Sequence, residues 1–211
     1  IKDGEVPWTN ILDGMATNSL DFTAIPGLCL PGPIDQEPTS CSALTTRPAP
    51  HLFTRNAESP VAFDHSPYLM QFQRLRRMIE GCSDKTISAI LETNRGCPYS
   101  CNYCDWGSST MSQIRTFDME RVEADIKTLA ALRVSWLYWA DANVGILPRD
   151  IDIADLIIAT RQEFGYPSSM IYASAKNNPD RTVEIVRRLY NEGLVPGHWL
   201  ALQHTDKNVL Q

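Results

Sequence analysis

The chain has 211 residues, of which 43% are hydrophobic and 21% are charged, enough to bury the core of one mid-sized domain or of a small domain plus part of another. Its formal net charge of −6 gives no electrostatic reason to expect nucleic acid or an anionic membrane as a partner. No apolar run approaches the ~20 residues that span a bilayer, and no signal peptide is visible, so a cytoplasmic protein is predicted.

Residues 31–84 are predicted to form a proline-rich linker followed by a short helix. Prolines recur from Pro26 to Pro67, and because proline fixes φ and lacks an N–H donor, such a stretch is typical of a linker laid over a surface. The helix, which should end near Gly81, is indicated by apolar residues at helical spacing: Leu69, Phe72, Leu75 and Ile79.

From Lys85 onward the sequence alternates between strand patterns and helix patterns. The predicted strands are Ile87–Leu91, Val134–Ala140, Met170–Ala173 and His198–Leu202. Strands joined by helical connections predict a parallel sheet with right-handed crossovers. The unit length suits a (β/α) barrel or a doubly wound sheet, and periodicity alone does not choose between them. Both architectures gather functional groups at the carboxyl ends of the strands.

The helices between these strands are predicted to begin at acidic N-caps, namely Asp118, then Asp150 or Asp152, and then Asp180. Gly193 is predicted to end the third helix. Apolar residues at helical spacing mark the first helix (Met119, Val122, Ile126 and Leu129) and the third (Val183, Val186 and Leu189). In the second helix, Ala154, Ile157 and Ile158 are predicted to face inward.

Three cysteines follow the first predicted strand with the spacing of metal ligands. Cys97, Cys101 and Cys104 form a C-x3-C-x2-C pattern. A four-iron cluster normally takes four thiolates, so three would leave one iron open for a substrate or cofactor, provided that no other cysteine ligates it. Two alternatives stay open: a zinc site completed by Cys82 or a histidine, and an electron-transfer cluster completed by Cys82. Zinc modules usually carry two C-x2-C-like pairs, and the single pair here disfavours zinc.

The segment ETNRGCPYSCNYCDWG, at residues 92–107, resembles the radical S-adenosylmethionine (SAM) superfamily. The resemblance implies that the three cysteines hold a 4Fe-4S cluster whose open iron is chelated by the amino and carboxylate groups of SAM. It also implies that one electron from the cluster cleaves the C5′–S bond, giving methionine and a 5′-deoxyadenosyl radical that abstracts hydrogen from a small-molecule or peptide substrate. Tyr103 stands where the family places an aromatic residue beside the adenine. An electron donor such as flavodoxin or ferredoxin is the implied protein partner.

A narrower resemblance, to the cobalamin-binding branch of this superfamily, covers about residues 66–211. It rests on the cysteine segment and on the sequences that end three predicted strands: Asp141-Ala142-Asn143, Ala175-Lys176-Asn177 and Ala201-Leu202-Gln203. The resemblance implies a partial, TIM-like (β/α) barrel at residues 85–211, incomplete at its C-terminus, and the tail of an upstream cobalamin-binding domain at residues 1–30. Methyl transfer to unactivated carbon is a common reaction of the branch. The motif D-x-H-x-x-G is absent from the sequence, so cobalamin is expected to bind through a domain outside this chain.

Four polar residues at predicted strand ends are candidate cofactor-binding residues. Asp141 and Asn143 offer oxygens to the methionine or ribose part of SAM, and loop capping is the alternative. Lys176 is a candidate partner of the SAM carboxylate, with a solvent-facing lysine as the alternative. Gln203 is a candidate for the ribose hydroxyls, with a buried amide bound to backbone as the alternative. The catalytic residues are not identified.

Three classes of function are consistent with the sequence. The first is a radical SAM enzyme with a cobalamin domain, a methyltransferase. The second is a cobalamin-independent radical SAM enzyme that rearranges or cyclises its substrate, and the third is a non-catalytic metal or iron–sulfur module. An upstream D-x-H-x-x-G motif would favour the first over the second, whereas stoichiometric zinc without sulfide would indicate the third.

Overall fold

A computed structural model describes seven stretches of the chain: residues 5–25, 28–30, 44–45, 66–81, 86–99, 114–174 and 178–198. The chain divides into two compact units, residues 1–62 and 63–211. In the first unit, helix α1 (Glu5–Ala16) is followed by the 3₁₀ helix η1 (Phe22–Ala24) and by an antiparallel pair of short strands, β1 (Cys29–Leu30) and β2 (Leu44–Thr45). Most of the predicted proline-rich linker lies outside the described residues.

In chain order, the elements described in the second unit are α2 (Pro67–Met70), α3 (Phe72–Glu80), β3 (Ser88–Leu91), β4 (Asn94–Arg95), β5 (Arg115–Thr116), α4 (Met119–Ala131), β6 (Trp136–Trp139), α5 (Asp150–Phe164), β7 (Ser169–Tyr172) and α6 (Pro179–Asn191). Strands β3, β6 and β7 alternate with helices as the sequence predicts, and the short strands β4 and β5 are additional. None of the helices in the described stretches has the length and apolar character needed to cross a bilayer.

The predicted helix before the sheet is present in two pieces. Ser66 caps α2 by accepting the N–H of Leu69 at 3.0 Å, and Pro67 supplies a preset φ in the first turn. The helix is interrupted at Gln71, and α3 then ends at Gly81 as predicted. The hydroxyl of Ser66 also donates to the buried carboxylate of Asp125, which connects the start of α2 to α4.

The sheet is parallel, with strand order β3-β6-β7. Leu91, Trp139 and Tyr172 are aligned across the three strands. The predicted α/β fold with a parallel sheet is therefore confirmed. Strands β3 and β6 are one and three residues shorter than predicted, and β7 has the predicted length but lies one residue earlier in the chain. The fourth predicted strand lies outside the described residues beyond His198.

One face of this sheet is buried and the other is not. The buried strand residues are Leu91, Leu137, Trp139, Met170 and Tyr172. The intervening residues Ile90, Trp136 and Tyr138 are exposed. Helix α4 contacts α5, and α5 contacts α6. Because a sheet separates helices that lie on its opposite faces, contact between successive helices indicates that all three cover the same face.

The N-caps differ in part from those predicted. Asp118 precedes α4 as expected, but Asn178, and not Asp180, caps α6 by accepting the N–H of Arg181 at 3.1 Å. Asp150 is the first residue of α5 rather than its cap, and its buried carboxylate accepts the N–H groups of Gly145 (2.7 Å) and Leu147 (3.1 Å). Asp150 therefore stabilises the turn before the helix.

The helix faces are mostly those predicted, with a shifted phase in α6. Val122, Ile126, Leu129, Ala154 and Ile157 are buried as expected. Ile158, which was predicted to face inward, is half-buried, and among the other apolar positions Met119 and Val183 are exposed and Val186 is half-buried. In α5 Ile153 is buried, and in α6 the i, i+4 pair Ile185 and Leu189 forms the inner face.

Helices α4 and α6 end in the same hydrogen-bonded motif with different residues at its left-handed position. After α4, Arg133 (φ 60°) donates to the carbonyl of Ala130, and Val134 donates to that of Leu129. After α6, Gly193 (φ 66°) occupies the equivalent position, as predicted for the end of this helix. A residue with a Cβ is strained in this conformation, whereas glycine is not.

Replacing Arg133 by glycine is therefore expected to stabilise the protein by about 0.5–1 kcal/mol, since the relieved strain exceeds the entropy that glycine adds to the unfolded chain. The urea midpoint should rise while the m-value stays constant. Gly193→Ala is the matched control and should destabilise by a similar amount, because its Cβ would meet no atom within 4 Å and only the backbone strain would count. A midpoint that is unchanged or lower in Arg133→Gly would contradict this account.

Candidate functional site

The segment 96–114, called here the cysteine loop, begins and ends side by side, just beyond the carboxyl end of β3. Two residues after β3, strand β4 pairs antiparallel with β5, with Asn94 opposite Thr116 and Arg95 opposite Arg115. The N–H of Phe117 also donates to the carbonyl of Thr93 at 3.0 Å. Both ends of the segment 96–114, which carries the three cysteines, are thereby held together.

Asp141 fixes the start of this loop. It follows β6 after one residue and is 2% exposed. One carboxylate oxygen accepts the backbone N–H groups of Thr93 (2.7 Å) and Asn94 (3.2 Å). The other accepts the Asn94 amide (2.6 Å), the Trp139 indole N–H (2.9 Å) and the Thr93 hydroxyl. Burial raises the pKa of Asp141 to about 6, and the hydrogen bonds from Thr93, Trp139 and Asn94 oppose this rise.

Arg149 provides a second anchor that the sequence did not predict. It lies immediately before α5, and its guanidinium donates to the carbonyl of Phe117 and to the carbonyl of Thr93, both at 2.7 Å. These carbonyls belong to the two ends of the cysteine loop. A planar guanidinium suits this bridge because its donors diverge in a fixed fork.

Asn143 contacts the first cysteine. Its side-chain amide donates to the sulfur of Cys97, with 3.2 Å between Nδ2 and Sγ, and both side chains are buried. The turn that holds Asn143 is fixed in turn, since the N–H of Val144 donates to the carbonyl of Ala173 just after β7, and Ile146 donates to the carbonyl of Asn143. The ends of β6 and β7 therefore place this amide against the base of the loop.

A cationic and aromatic layer lies beside the loop base. Arg95 forms an ion pair with Glu92 at 2.6 Å, and its guanidinium lies 5.9 Å from the centre of the Phe117 ring. Arg121 from α4 lies 3.7 Å from the same ring and pairs with the buried Asp125. Phe117 is fully buried between them, which adds cation–π contacts to the anchoring of the loop.

A polar pair that the sequence did not reveal lies at the end of β7. The Ser174 hydroxyl and Nε2 of His198 are 2.6 Å apart, and the His198 ring is 5.2 Å from that of Tyr172. Burial lowers the pKa of His198 and raises that of Tyr172. The contact between Ser174 and His198 spans 24 residues, so no local pattern predicts it. The only hint in the sequence is that His198 is the first residue of the predicted fourth strand.

The predicted site residues divide into two groups. Cys97, Asp141 and Asn143 converge at the carboxyl edge of the sheet, as the strand-end rule predicts. Cys101, Tyr103, Cys104, Lys176 and Gln203 lie outside the described residues. Cluster ligation by the three cysteines and the SAM contacts of the other residues stay predictions. For Asp141 the structure adds a positioning role, because both of its oxygens are bonded to the loop.

The surroundings of Cys97 fit a thiolate ligand of an iron–sulfur cluster. The sulfur is at the start of a loop whose two ends are fastened, and it accepts an N–H from a buried amide. Amide N–H donors to ligand sulfurs are a common feature of iron–sulfur sites. A parallel α/β sheet with Cys97, the first cysteine of the C-x3-C-x2-C segment, at its carboxyl edge is the arrangement that the resemblance to the radical SAM superfamily implies.

Comparison with known proteins identifies the branch. The chain is 36% identical to 2-(S-pantetheinyl)-carbapenam-3-carboxylate methyltransferase of Streptantibioticus cattleyicolor, over 99% of this chain and 29% of that protein. It is 34% identical, with the same coverage, to the cobalamin-dependent radical SAM methyltransferase TokK of Streptomyces tokunonensis. The chain is therefore a homologue of a segment of cobalamin-dependent radical SAM methyltransferases, and the resemblance predicted from its cysteine loop is confirmed. It spans 29% of the length of these relatives. No family model matches it.

Solved structures support the same fold. The radical SAM methyltransferase TsrM from Kitasatospora setae, with cobalamin and a 4Fe-4S cluster bound, superposes with a TM-score of 0.58 at 16% identity, over 100% of this chain and 38% of that one. The cobalamin-dependent SAM radical enzyme OxsB with aqua-cobalamin bound gives a TM-score of 0.53 at 16% identity, over 99% and 28%. At this identity the likeness shows the α/β fold alone.

Proposed function

We propose that this chain is the cluster-binding part of a radical SAM enzyme, a cobalamin-dependent methyltransferase acting on a small-molecule substrate. The observation that carries the proposal is the buried Cys97 sulfur, held at the base of a fastened three-cysteine loop and hydrogen-bonded to Asn143. The names of the relatives TokK and 2-(S-pantetheinyl)-carbapenam-3-carboxylate methyltransferase support the reaction class. A peptide substrate remains within the proposal, as does an electron donor such as flavodoxin or ferredoxin.

The residues of the proposed site are assigned three tasks, and Asp141 and Asn143 share in two of them. Cys97, Cys101 and Cys104 would hold the 4Fe-4S cluster, which when bound supplies the electron that cleaves SAM. Asp141, Arg149 and Asn143 position the start and end of the loop. The SAM contacts are assigned, as the resemblance implies, to Tyr103, Asp141, Asn143, Lys176 and Gln203.

We propose a partial (β/α) barrel, rather than a doubly wound sheet, for residues 85–211. The contacts of α4 with α5 and of α5 with α6 support winding in one direction, with all helices on one face of the sheet. In a doubly wound sheet, helices would cover both faces. The exposed strand residues Ile90, Trp136 and Tyr138 would then line the barrel interior.

The cobalamin part of the proposal concerns the N-terminal side. Residues 1–30 are proposed as the tail of a cobalamin-binding domain and residues 31–84 as the linker and short helix. The separate compact unit at residues 1–62 supports a second body before the barrel. A cytoplasmic location belongs to the proposal, since unpaired thiols persist in a reducing compartment.

Low-temperature electron paramagnetic resonance tests the proposed function. The full-length protein is reconstituted anaerobically with iron and sulfide, reduced with dithionite, and measured with and without SAM. We expect a reduced four-iron signal that shifts when SAM is added, because SAM would occupy the open iron. A cluster signal that ignores SAM would indicate an electron-transfer site, and stoichiometric zinc without sulfide would indicate a structural metal module.

A further inference from the structure

We propose that Asn143 is a positioning residue that raises the reduction potential of the cluster through an N–H···S hydrogen bond to Cys97. This inference rests on the proposed function, because it requires the sulfur of Cys97 to be a cluster ligand. It goes further by assigning an electronic role to a residue whose side chain otherwise reads as a strand-end cap.

The geometry identifies the side-chain amide as the donor. Nδ2 of Asn143 lies 3.2 Å from Sγ of Cys97, within the range of an N–H···S hydrogen bond. An iron-bound thiolate carries no proton and can only accept. The amide must therefore present its NH₂ group, and not its carbonyl oxygen, to this sulfur.

The surroundings hold the amide in place and exclude water. Asn143 is 7% exposed and Cys97 is 9% exposed, so solvent contributes little to either group. The backbone of the turn is bonded on both sides of Asn143, through Val144 to Ala173 and through the carbonyl of Asn143 to Ile146. Two residues earlier, Asp141 fixes the strand of the loop that leads to Cys97. Donor and acceptor are thus placed by independent contacts.

The sign of the effect follows from charge. Reduction adds one negative charge to the cluster, part of which resides on the ligand sulfurs. A hydrogen bond donated to such a sulfur becomes stronger as its negative charge grows, and burial strengthens it further. The bond therefore stabilises the reduced state more than the oxidised state, which raises the potential.

The test is an EPR-monitored redox titration of the reconstituted full-length protein without SAM. Asn143→Leu keeps the approximate shape and removes the donor, so the equilibrium constant for one-electron reduction should fall about tenfold, equivalent to about 59 mV. Asn143→Asp places a carboxylate oxygen against the sulfur and should lower the potential further than the leucine variant. Asn191→Leu makes the same substitution at the exposed end of α6 and should leave the potential unchanged.

The outcomes separate this inference from the proposed function. A wild-type protein that assembles no four-iron cluster would refute the proposed function. If both Asn143 variants load a cluster whose reduction potential equals that of the wild-type protein, the inference alone is overturned. If the variants retain too little cluster to titrate, pulsed EPR of the reduced wild-type protein labelled with ¹⁵N in its asparagine amides decides the question. A ¹⁵N coupling to the cluster supports the hydrogen bond, and its absence overturns it.

Discussion

Replacing Asp141 with asparagine should destabilise the folded protein by about 2–4 kcal/mol at pH 7 and release the start of the cysteine loop. The carboxylate accepts N–H donors at both oxygens. An amide has only one oxygen, so its NH₂ group must face either the backbone N–H groups of Thr93 and Asn94 or the N–H groups of the Asn94 amide and the Trp139 indole. At least two buried donors lose their acceptor, each at a cost of about 1–3 kcal/mol.

The deficit of this variant should depend on pH in a defined direction. The folded-state pKa of Asp141, about 6, lies above the ordinary value of 3.8. Its protonation therefore contributes stability that is fully present below pH 3.8 and is lost as the pH rises through about 6. The gap between the two pKa values corresponds to about 3 kcal/mol in the free energy of unfolding, which is the full contribution below pH 3.8. Because asparagine does not titrate, the deficit should grow as the pH is lowered from 7 to 5.

Urea unfolding at several pH values measures both effects. Asp152→Asn is the matched control, since Asp152 is an exposed carboxylate in the first turn of α5, and it should change the free energy of unfolding by less than about 0.5 kcal/mol. Iron and sulfide analysis of Asp141→Asn should show reduced cluster loading. Equal stability of the two variants at pH 7 would exclude the anchoring role that the hydrogen bonds assign to Asp141.

Cys101→Ala should abolish cluster assembly, because two thiolates on a short loop do not hold a four-iron cluster firmly. The measurement is the iron and sulfide content after reconstitution, together with the EPR signal of the reduced protein. Cys82→Ala is the control and should load a normal cluster. Loss of the cluster in Cys82→Ala would instead favour the four-cysteine electron-transfer site, and a normal cluster in Cys101→Ala would refute the ligand assignment.

The three strands of the parallel sheet were predictable because each is a short apolar run between polar segments, but their ends were not, and the polar strands β4 and β5 were not predicted. Val134–Ala140 was predicted as a strand, and only Trp136–Trp139 is paired, since ladder length depends on the neighbouring strands. The cap of α6 was missed although a signal was present. Asn178 precedes Pro179, and proline favours the first helical position, so the pair marks a helix start better than Asp180 does.

The site was predictable to the extent that it is local in sequence. The spacing of the cysteines and the polar residues after strands were visible, and Asp141 and Asn143 do meet the cysteine loop. Their roles were not visible, because the contact of Asp141 with Thr93 spans 48 residues and depends on the alignment of β3 with β6. Arg149 bridges carbonyls 32 and 56 residues away, and no local pattern distinguishes it from a surface arginine.

The antiparallel pairing of β4 with β5 makes the parallel sheet insensitive to changes in the sequence and length of the cysteine loop. The two ends of segment 96–114 are fastened to each other, so a change within the segment does not alter the register in which β3 and α4 enter the fold. Closing a flexible loop costs only about 0.6 kcal/mol more for each doubling of its length. Insertions between the cysteines and β5 would therefore be tolerated by the parallel sheet and its helices.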